Sequence, residues 1–342
     1  MAECPGAGSA RRLRVMRALV VAGLAAGPGC IVINPGHAPG PVLRLREPDT
    51  RRDYLLYVPS TYTPDQAWPL VIACHGSRLL DSPRLQIDEW KALAESKGFL
   101  VIAPELEGAS LPADPGQALA RLRRDEGAIL AILAHVRAAR NIDTNLVFLA
   151  GWQAGAYPAL YTGLKNPNVF RAIGLRQPGF DARLVEPCLP YVDHQQPVLI
   201  VYGVADLDRS QSQAAAEWFR RNRMAVNEQE VSGAGRRDPT PIYAFLRDTV
   251  RAQPWIRLAV AEVDPSRPLT VAFSVESSIP LDLYQWDFGD GGSSKVAQPE
   301  HTYAKAGTYR VRVTVTSGKK SYARQIEIRL PRTRLGATQP AE

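Results

Sequence analysis

The chain has 342 residues, which is enough for a sizeable hydrophobic core and two domains. Its composition is that of an ordinary globular protein, with 45% hydrophobic and 22% charged residues. The formal net charge of +7 suits anionic surroundings, but the arginines are scattered and no DNA- or RNA-binding motif accompanies them. Nucleic acid is therefore excluded as the expected partner, and four cysteines are too few for a disulfide framework.

The N-terminus has the pattern of a targeting segment. Four arginines between positions 11 and 17 precede a short apolar run at residues 18–26. This run is about half as long as a membrane-spanning helix requires, so residues 1–30 are interpreted as a signal peptide of an exported protein. Cys30 resembles the lipid-modified cysteine of bacterial lipoproteins, although Gly27 and Pro28 depart from the usual lipobox. Ordinary cleavage near Ala26, without a lipid anchor, is the alternative.

Two further cysteines lie in the remainder of the chain. Cys74 ends an apolar run and is expected to be a small buried hydrophobic side chain, whereas Cys188 lies beside prolines in a loop. A Cys74–Cys188 disulfide is the alternative, which nothing in the sequence favours.

Short apolar runs alternate with helical patterns over residues 51–253, after a segment 31–50 that is rich in proline, glycine and arginine and is predicted to be a linker. This alternation predicts an α/β fold with a largely parallel sheet covered by helices on both faces. The predicted strands are Tyr54–Pro59, Pro69–Cys74, Phe99–Ala103, Leu146–Ala150, Pro197–Tyr202 and Val226–Val231, and the predicted helices are Leu85–Lys97, Gln117–Arg140, Gln211–Met224 and Pro241–Arg251.

The pattern changes to strands and turns over residues 254–330. Leu269–Val275 and Tyr309–Thr316 alternate between apolar and polar residues, and glycine-rich turns lie at 289–292 and 317–318. These features predict a small all-β sandwich, followed by a polar, disordered tail at 331–342.

Four segments of the first domain resemble secreted α/β-hydrolases of the polyhydroxybutyrate-depolymerase and feruloyl-esterase group. They are YLLYVPSTYTPDQAWPLVIACHG from residue 54, GFLVIAPE from 98, NIDTNLVFLAGWQAGAYPAL from 141 and QPVLIVYGVADLD from 196, in the family's order. The resemblance covers roughly residues 50–250 and implies a doubly wound, mostly parallel α/β-hydrolase sheet and an esterase ancestry.

In that family the central strand runs into G-x-S-x-G, where the serine sits on a strained turn between strand and helix. This chain has Gly151, Gln153, Ala154 and Gly155 in the matching turn, so both glycines are present and Gln153 replaces the nucleophile. An amide has no ionisable proton for a histidine base to remove, so an acyl-enzyme is not available from this position. The alternative is an unrelated loop that carries two glycines.

The resemblance also assigns the other two triad positions. The segment GVAD at 203–206 matches the family's G-x-x-D, so Asp206 is the candidate acid and Asp208 is the second choice. The alternative for both residues is a solvated carboxylate in a loop. Arg236 stands where the family has its histidine. The sequence therefore predicts a degenerate triad of Gln153, Asp206 and Arg236, with no intact catalytic residue.

None of the five histidines substitutes easily for the missing base. His37 lies in the predicted linker, His301 in the second domain, and His135 on the long predicted helix. His194 precedes the strand that leads to the candidate acid, and His75 belongs to the HG element, whose usual part is structural.

Parts of the family's oxyanion site are expected to survive, because backbone donors persist when side chains change. The matching N–H groups belong to Ala154 and the region of Ser77, and they predict a pocket for a carbonyl or an anion. We also predict an ion pair between Asp206 and Arg236, with Gln153 at its edge, filling the place of the triad. The alternative is an Arg236 side chain that points into solvent.

The second domain resembles PKD domains, β-sandwich modules named after polycystic kidney disease. WDFGDG at 286–291, HTY at 301–303 and GTY at 307–309 match their signature segments. Trp286 and Phe288 are expected in the core, and the GDG segment in a tight turn. In secreted bacterial enzymes such modules act as spacers or as contacts to polymers and proteins, and a passive spacer is the alternative to binding here.

These observations predict an exported, non-catalytic hydrolase-fold protein of a bacterial envelope that binds a polysaccharide, an ester or a protein. No cofactor, metal site or nucleic acid is expected, and a membrane is contacted only through a lipid on Cys30. One alternative is an active carboxylesterase or polysaccharide esterase that uses Ser77, Ser110 or Ser232 as an unrecognised nucleophile. The other is a structural envelope protein whose cleft has filled in.

Overall fold

The computed structural model describes residues 39–77, 79–110, 114–232, 237–262 and 266–331, which all belong to one compact unit, Gly36–Glu342. The predicted signal peptide, Cys30, Arg236 and residues 332–342 of the predicted tail lie outside the described residues. No helix in the described part of the chain is both long and apolar enough to cross a bilayer.

Eight strands form one sheet in the order β1-β2-β4-β3-β5-β6-β7-β8. The six strands from β3 to β8 run parallel, whereas β1 and β2 are antiparallel to their neighbours. The strands are β1 Val42–Arg46, β2 Asp53–Tyr57, β3 Trp68–Cys74, β4 Leu100–Pro104, β5 Ile142–Trp152, β6 Ile173–Arg176, β7 Val198–Gly203 and β8 Val226–Val231. The predicted, largely parallel sheet is confirmed.

Helices cover both faces of this sheet, as predicted. They are α1 Pro83–Lys97, α2 Pro115–Ala139, α3 Ala156–Lys165, α4 Ala182–Val185, α5 Arg209–Arg221 and α6 Thr240–Ala252. One core cluster takes side chains from α2, α3 and α5, and a second takes side chains from α1 and α6 on the opposite face. Helix α1 begins where the Ser82 side chain accepts the Leu85 N–H, and it ends at Gly98 with φ 74°, a conformation that glycine adopts without strain.

Two strands, β1 and β6, were not predicted from the sequence. The predicted linker 31–50 is wrong at Val42–Arg46, because VLRLR alternates and pairs in antiparallel register with β2, with Leu43 and Leu45 packed against the core. Strand β6 has only four residues, which is too short for an alternation signal. Cys74 and Cys188 are buried free thiols, so the disulfide alternative is wrong.

The C-terminal part folds into two antiparallel sheets with the orders β13-β10-β9 and β12-β11-β14-β15. Their strands are β9 Ile256–Glu262, β10 Thr270–Ser277, β11 Leu283–Asp287, β12 Ser293–Ser294, β13 Glu300–Thr302, β14 Gly307–Ser317 and β15 Lys320–Leu330. Trp286 and Phe288 lie in the core between the sheets with Phe273 and Val313, so the predicted sandwich is confirmed.

The sandwich contacts the loops that precede β6 and β7. The Asn168 side chain donates to the Gln325 carbonyl at 2.6 Å, and Arg324 pairs with Asp193 at 3.1 Å. Because these loops enter parallel strands, the joint lies at the edge of the sheet opposite the carboxyl ends, where α/β proteins place their ligands. The sandwich therefore leaves that edge uncovered.

Candidate functional site

The turn after β5 has the strand–turn–helix form that the sequence predicts for a nucleophile elbow. Strand β5 ends at Trp152, a single 3₁₀ turn spans Gln153–Gly155, and α3 begins at Ala156. Gln153 has φ 47°, a left-handed conformation that is uncommon for residues other than glycine. A strained backbone of this kind marks functional turns, and here it carries an amide where the family carries a serine.

Two glycines are required by the close packing of this turn. A Cβ on Gly155 would lie 2.5 Å from the carbonyl oxygen of His75 and closer still to that of Cys74, at the end of β3. A Cβ on Gly151 would lie 2.7 Å from the Gly155 carbonyl oxygen. The structure therefore explains both glycines that the sequence singled out.

Gln153 is half-buried, and its carbonyl accepts the Gly179 N–H at 3.2 Å. This bond ties the elbow to the loop that follows β6. No hydrogen bond joins its side-chain amide to another residue of the described ranges.

The two predicted oxyanion positions follow neighbouring strands, β5 and β3. Ala154 and Ser77 are both half-buried at the carboxyl edge of the sheet. The Ser77 carbonyl accepts the N–H groups of Leu80 and Asp81, each at 2.8 Å, so the loop after His75 and Gly76 turns back at once. Their role as carbonyl or anion donors stays a prediction.

Asp206 is held by its own turn at the end of β7. Its carboxylate accepts the Gly203 N–H at 2.6 Å, and its N–H donates to the Gly203 carbonyl at 3.2 Å. Asp206 is 8% exposed, whereas Asp208 is exposed at the start of α5. Asp206 is thus the buried carboxylate of the two. The predicted Asp206–Arg236 pair involves a residue outside the described ranges and stays a prediction.

The neighbouring Arg237 lies beside the elbow, which the sequence did not predict. Its guanidinium lies 4.0 Å from the centre of the Trp152 ring. It donates to Glu89 at 2.5 Å and to Asp81 at 3.0 Å, both from the segment around the start of α1. Arg237 thus fixes the chain after β8 against the elbow strand.

Arg176, at the end of β6, completes a buried charge cluster with Arg237, Asp81, Gln86 and Glu89. Arg176 is 2% exposed, pairs with Glu89 at 2.9 Å and donates to Gln86 at 3.0 Å. Gln86 donates in turn to Asp81 at 2.7 Å. We call these five residues the Arg176–Arg237 cluster; its two positive and two negative charges balance.

This cluster lies at the carboxyl edge of the sheet, beside the elbow. Burial lowers the pKa of Arg176, and the carboxylates of Glu89 and Asp81 oppose this effect. The arrangement has the properties of a structural plug, because every charged member has an opposite charge nearby. No local signal could have found it, because its members come from three separate segments.

His75 is not available as a base. It is fully buried, its Nε2 accepts the Leu106 N–H at 3.1 Å, and its Nδ1 lies 2.8 Å from the Gly76 carbonyl oxygen. Both ring nitrogens are thus engaged by backbone groups, and the Glu105 carboxylate lies 3.9 Å from Nε2.

Three other histidines are described, and each lies away from the elbow. His135 bonds to the Tyr54 hydroxyl at 3.2 Å, His194 is exposed near the joint, and His301 pairs with Asp290 at 2.8 Å in the sandwich. Within the described ranges, no group of three or more His, Cys, Asp or Glu side chains could hold a metal ion.

Four apolar side chains project into solvent from loops at this edge. Leu79 and Leu80 follow β3 and are 93% and 61% exposed. Val204 and Leu207 follow β7 and are 51% and 99% exposed. Since β5 lies between β3 and β7 in the sheet, these residues flank the elbow on both sides. Exposure of this kind is typical of an interaction surface.

The comparisons with known proteins include a family model that matches only the C-terminal part of the chain. Residues 251–329 match the family model of the PKD domain. A bifunctional acetylxylan esterase/xylanase of Neocallimastix patriciarum is 28% identical over 145 residues, which are 39% of this chain and 21% of that protein. The chain thus spans about a fifth of the length of this curated relative.

Among solved structures, a CE1 ferulic acid esterase of Anaeromyces mucronatus in complex with ferulic acid is similar at 18% identity and a TM-score of 0.50. The match covers 64% of this chain and 93% of that one. A fluorophosphonate-binding serine hydrolase of Staphylococcus aureus matches at 14% identity and a TM-score of 0.48, covering 62% and 99% of the two chains. The predicted α/β-hydrolase fold followed by a PKD sandwich is confirmed.

Proposed function

We propose that this α/β-hydrolase-fold protein with a PKD domain is a non-catalytic relative of the esterases that binds a ligand at its former catalytic edge. The observation that carries the proposal is Gln153, an amide in the left-handed conformation of the nucleophile position. A glutamine cannot be deprotonated by a histidine to form an acyl-enzyme. The retained backbone therefore supports binding without turnover.

The surroundings of the elbow support the same conclusion. The base of an esterase must reach its nucleophile, and both nitrogens of His75 are engaged by backbone groups. Arg237 packs on Trp152 beside the elbow. We infer that the Arg176–Arg237 cluster stabilises an edge that no longer needs to rearrange around a reacting ester.

The ligand we propose is an esterified polysaccharide. The relatives by name are an acetylxylan esterase and a ferulic acid esterase. The exposed Leu79 and Leu207 would contact an apolar ester group, and the Ala154 and Ser77 N–H groups would bind its carbonyl. A protein partner at the same apolar surface is the competing ligand.

Labelling and turnover test the absence of catalysis. We expect no stoichiometric fluorophosphonate labelling of any serine and at most a trace rate on p-nitrophenyl acetate, since a hydrolase without its triad retains about a thousandfold over water. Labelling of one serine with turnover above about 1 per second would establish the alternative, an active esterase. Substitution of Ser77, Ser110 and Ser232 in turn would then identify the nucleophile.

Ligand binding is tested by thermal shifts with acetylated xylo-oligosaccharides and with the same chains after deacetylation. We expect a shift with the acetylated chains only, and its loss in the double variant Leu79→Ser with Leu207→Ser. Leu283→Ser is the matched control, because Leu283 is 67% exposed but lies in the sandwich. If neither oligosaccharide shifts the melting temperature of the protein, this proposal is wrong. The alternative is then a structural envelope protein whose cleft has filled in.

We further propose export to the bacterial envelope, with residues 1–30 removed or lipidated, and domains at 51–253 and 254–330. The PKD domain at 251–329 supports an extracellular location. Metabolic labelling with a palmitate analogue tests the lipid anchor: incorporation should be lost in Cys30→Ser and kept in Cys188→Ser. If the wild-type protein is not labelled, the lipid anchor is absent and ordinary cleavage near Ala26 becomes the interpretation.

A further inference from the structure

We propose that the joint between the two domains is a second binding site, for a saccharide chain that carries carboxylates. A cleft of about 470 Å³ lies between the outer face of β14 and β15 and the loop before β7. This volume falls in the range of about 300–1,000 Å³ that ligand sites occupy, and such sites occur preferentially between domains.

The residues that line the cleft carry an excess of positive charge. Arg310 and Arg312 line it from β14, and both are exposed. Asp193, the carboxylate in the cleft wall, forms an ion pair with Arg324. The Arg324 side chain is 8% exposed and the Asp193 side chain 10%. No ion pair joins Arg310 or Arg312 to a carboxylate of the described residues. Glu327 lies opposite Arg310 on β15, where it accepts the Tyr191 hydroxyl at 2.9 Å, but it is not among the lining residues. The lining holds three arginines and one aspartate, so its net charge is positive.

The two guanidinium groups are placed for a repeating anion. Residues two apart on a strand project from the same face, roughly 7 Å apart along it. Arg310 lies 5.1 Å from the centre of the Tyr191 ring, which orients its planar fork. Arginine binds carboxylates through two parallel hydrogen bonds, so consecutive charges of one chain can be bound in turn.

The remaining wall suits a saccharide better than a nucleic acid. Gln195 and Ser321 offer hydrogen-bonding side chains, and Leu189 and Val192 form an apolar surface. His194 is the only aromatic ring that the described residues place in the lining, whereas single-stranded nucleic acids are bound by stacking successive bases on several aromatic rings. Hydroxyl groups and regularly spaced carboxylates match these walls.

This site is independent of the function proposed above. The joint lies at the opposite edge of the sheet from Gln153. Loss of binding at one edge therefore does not imply loss of binding at the other edge. The test uses the full chain and titration calorimetry with a decameric oligogalacturonate. Its matched neutral ligand is the same decamer with every carboxylate methyl-esterified.

We expect the charged decamer to bind and the methyl ester to bind at least about tenfold more weakly, since hydrogen bonds to charged groups are stronger than those between neutral groups. The double variant Arg310→Gln with Arg312→Gln should weaken binding of the charged chain by at least about tenfold. Arg329→Gln is the control, because Arg329 is exposed on β15 but outside the cleft lining. It should change the affinity less than about twofold.

Three results would overturn the proposal: no binding of the charged decamer, equal binding of its methyl ester, or an equal loss in Arg329→Gln. The last would indicate attraction by net charge alone. Because the two ligands are compared on the unchanged protein, that comparison is decisive even if the double variant is unstable.

Discussion

The Arg237 guanidinium lies over the Trp152 ring, with 4.0 Å between them, and joins the segment after β8 to the strand that carries the elbow. The sequence resemblance predicts the family's histidine position in this segment, at Arg236. The neighbouring Arg237 contributes to the Arg176–Arg237 cluster. The relationship shows how the chain after β8 is held against the strand that carries the elbow.

The Arg176–Arg237 cluster should contribute strongly to stability. Arg176→Met removes a guanidinium that is 2% exposed and leaves Glu89 without its buried partner, so we expect a loss of about 3–5 kcal/mol. Arg237→Met should cost less, about 1–3 kcal/mol, because its side chain is 38% exposed. Urea unfolding measures both, and Arg84→Met in the exposed pair with Asp88 should cost less than about 0.5 kcal/mol. Equal costs for the three variants would contradict the cluster's role.

Gln153→Gly should stabilise the protein by about 1 kcal/mol, because a non-glycine residue at φ 47° is strained. Arg223→Gly, at φ 54°, should give a similar gain, whereas Ala154→Gly should not stabilise. Thermal unfolding of the three variants is the measurement. A loss of stability in Gln153→Gly would indicate that its side chain makes a stronger contribution than the backbone strain costs.

Gln153→Ser alone should not restore esterase activity, because the new hydroxyl lacks a general base. The double variant Gln153→Ser with Arg236→His has the better chance, and p-nitrophenyl ester turnover compares the two. If the single variant already turns over like an esterase, Arg236 does not occupy the histidine position.

Glu95 should make stability depend on pH. Burial raises its pKa, but hydrogen bonds from Ser60, Tyr57 and Gly40 outweigh this and hold the pKa of the carboxyl below its usual value. A lowered folded-state pKa stabilises the protein above the unfolded-state pKa, and this stability is lost as pH falls through the folded-state value.

The variant Glu95→Gln should therefore lose about 1–3 kcal/mol at neutral pH, with a difference from wild type that shrinks towards acid pH. Glu217→Gln is the control, since Glu217 is 51% exposed in a surface pair with Arg221. Unfolding free energies across the acid range decide the matter, and a pH-independent difference would argue against the hydrogen-bonded carboxylate.

Arg324 should hold the sandwich to the sheet domain. Arg324→Met leaves the buried Asp193 carboxylate unpaired, so we expect a loss of about 3–5 kcal/mol. Adding Asp193→Leu should recover most of it, because an apolar pair can replace a buried ion pair. Hydrogen exchange in the loop at 189–196 and urea unfolding provide the readout. Unchanged exchange in the single variant would show that other contacts hold the joint.

The sequence by itself determined the local features of this protein. Alternation and turn residues predicted the parallel sheet and the sandwich, since a strand's pattern is set by its neighbours in the chain. The tight turn at Gln153 was also predicted from the sequence, because the flanking Gly151 and Gly155 are required by the turn itself.

Only the tertiary structure decided which charged residues meet beside the elbow and what joins the domains. Arg176, Arg237 and Glu89 lie in separate segments, and nothing local predicts that they meet. The Arg324–Asp193 pair likewise joins residues more than a hundred positions apart. A buried charge needs a partner of opposite sign, but which partner it finds depends on how distant segments pack, and that information is not in any local pattern.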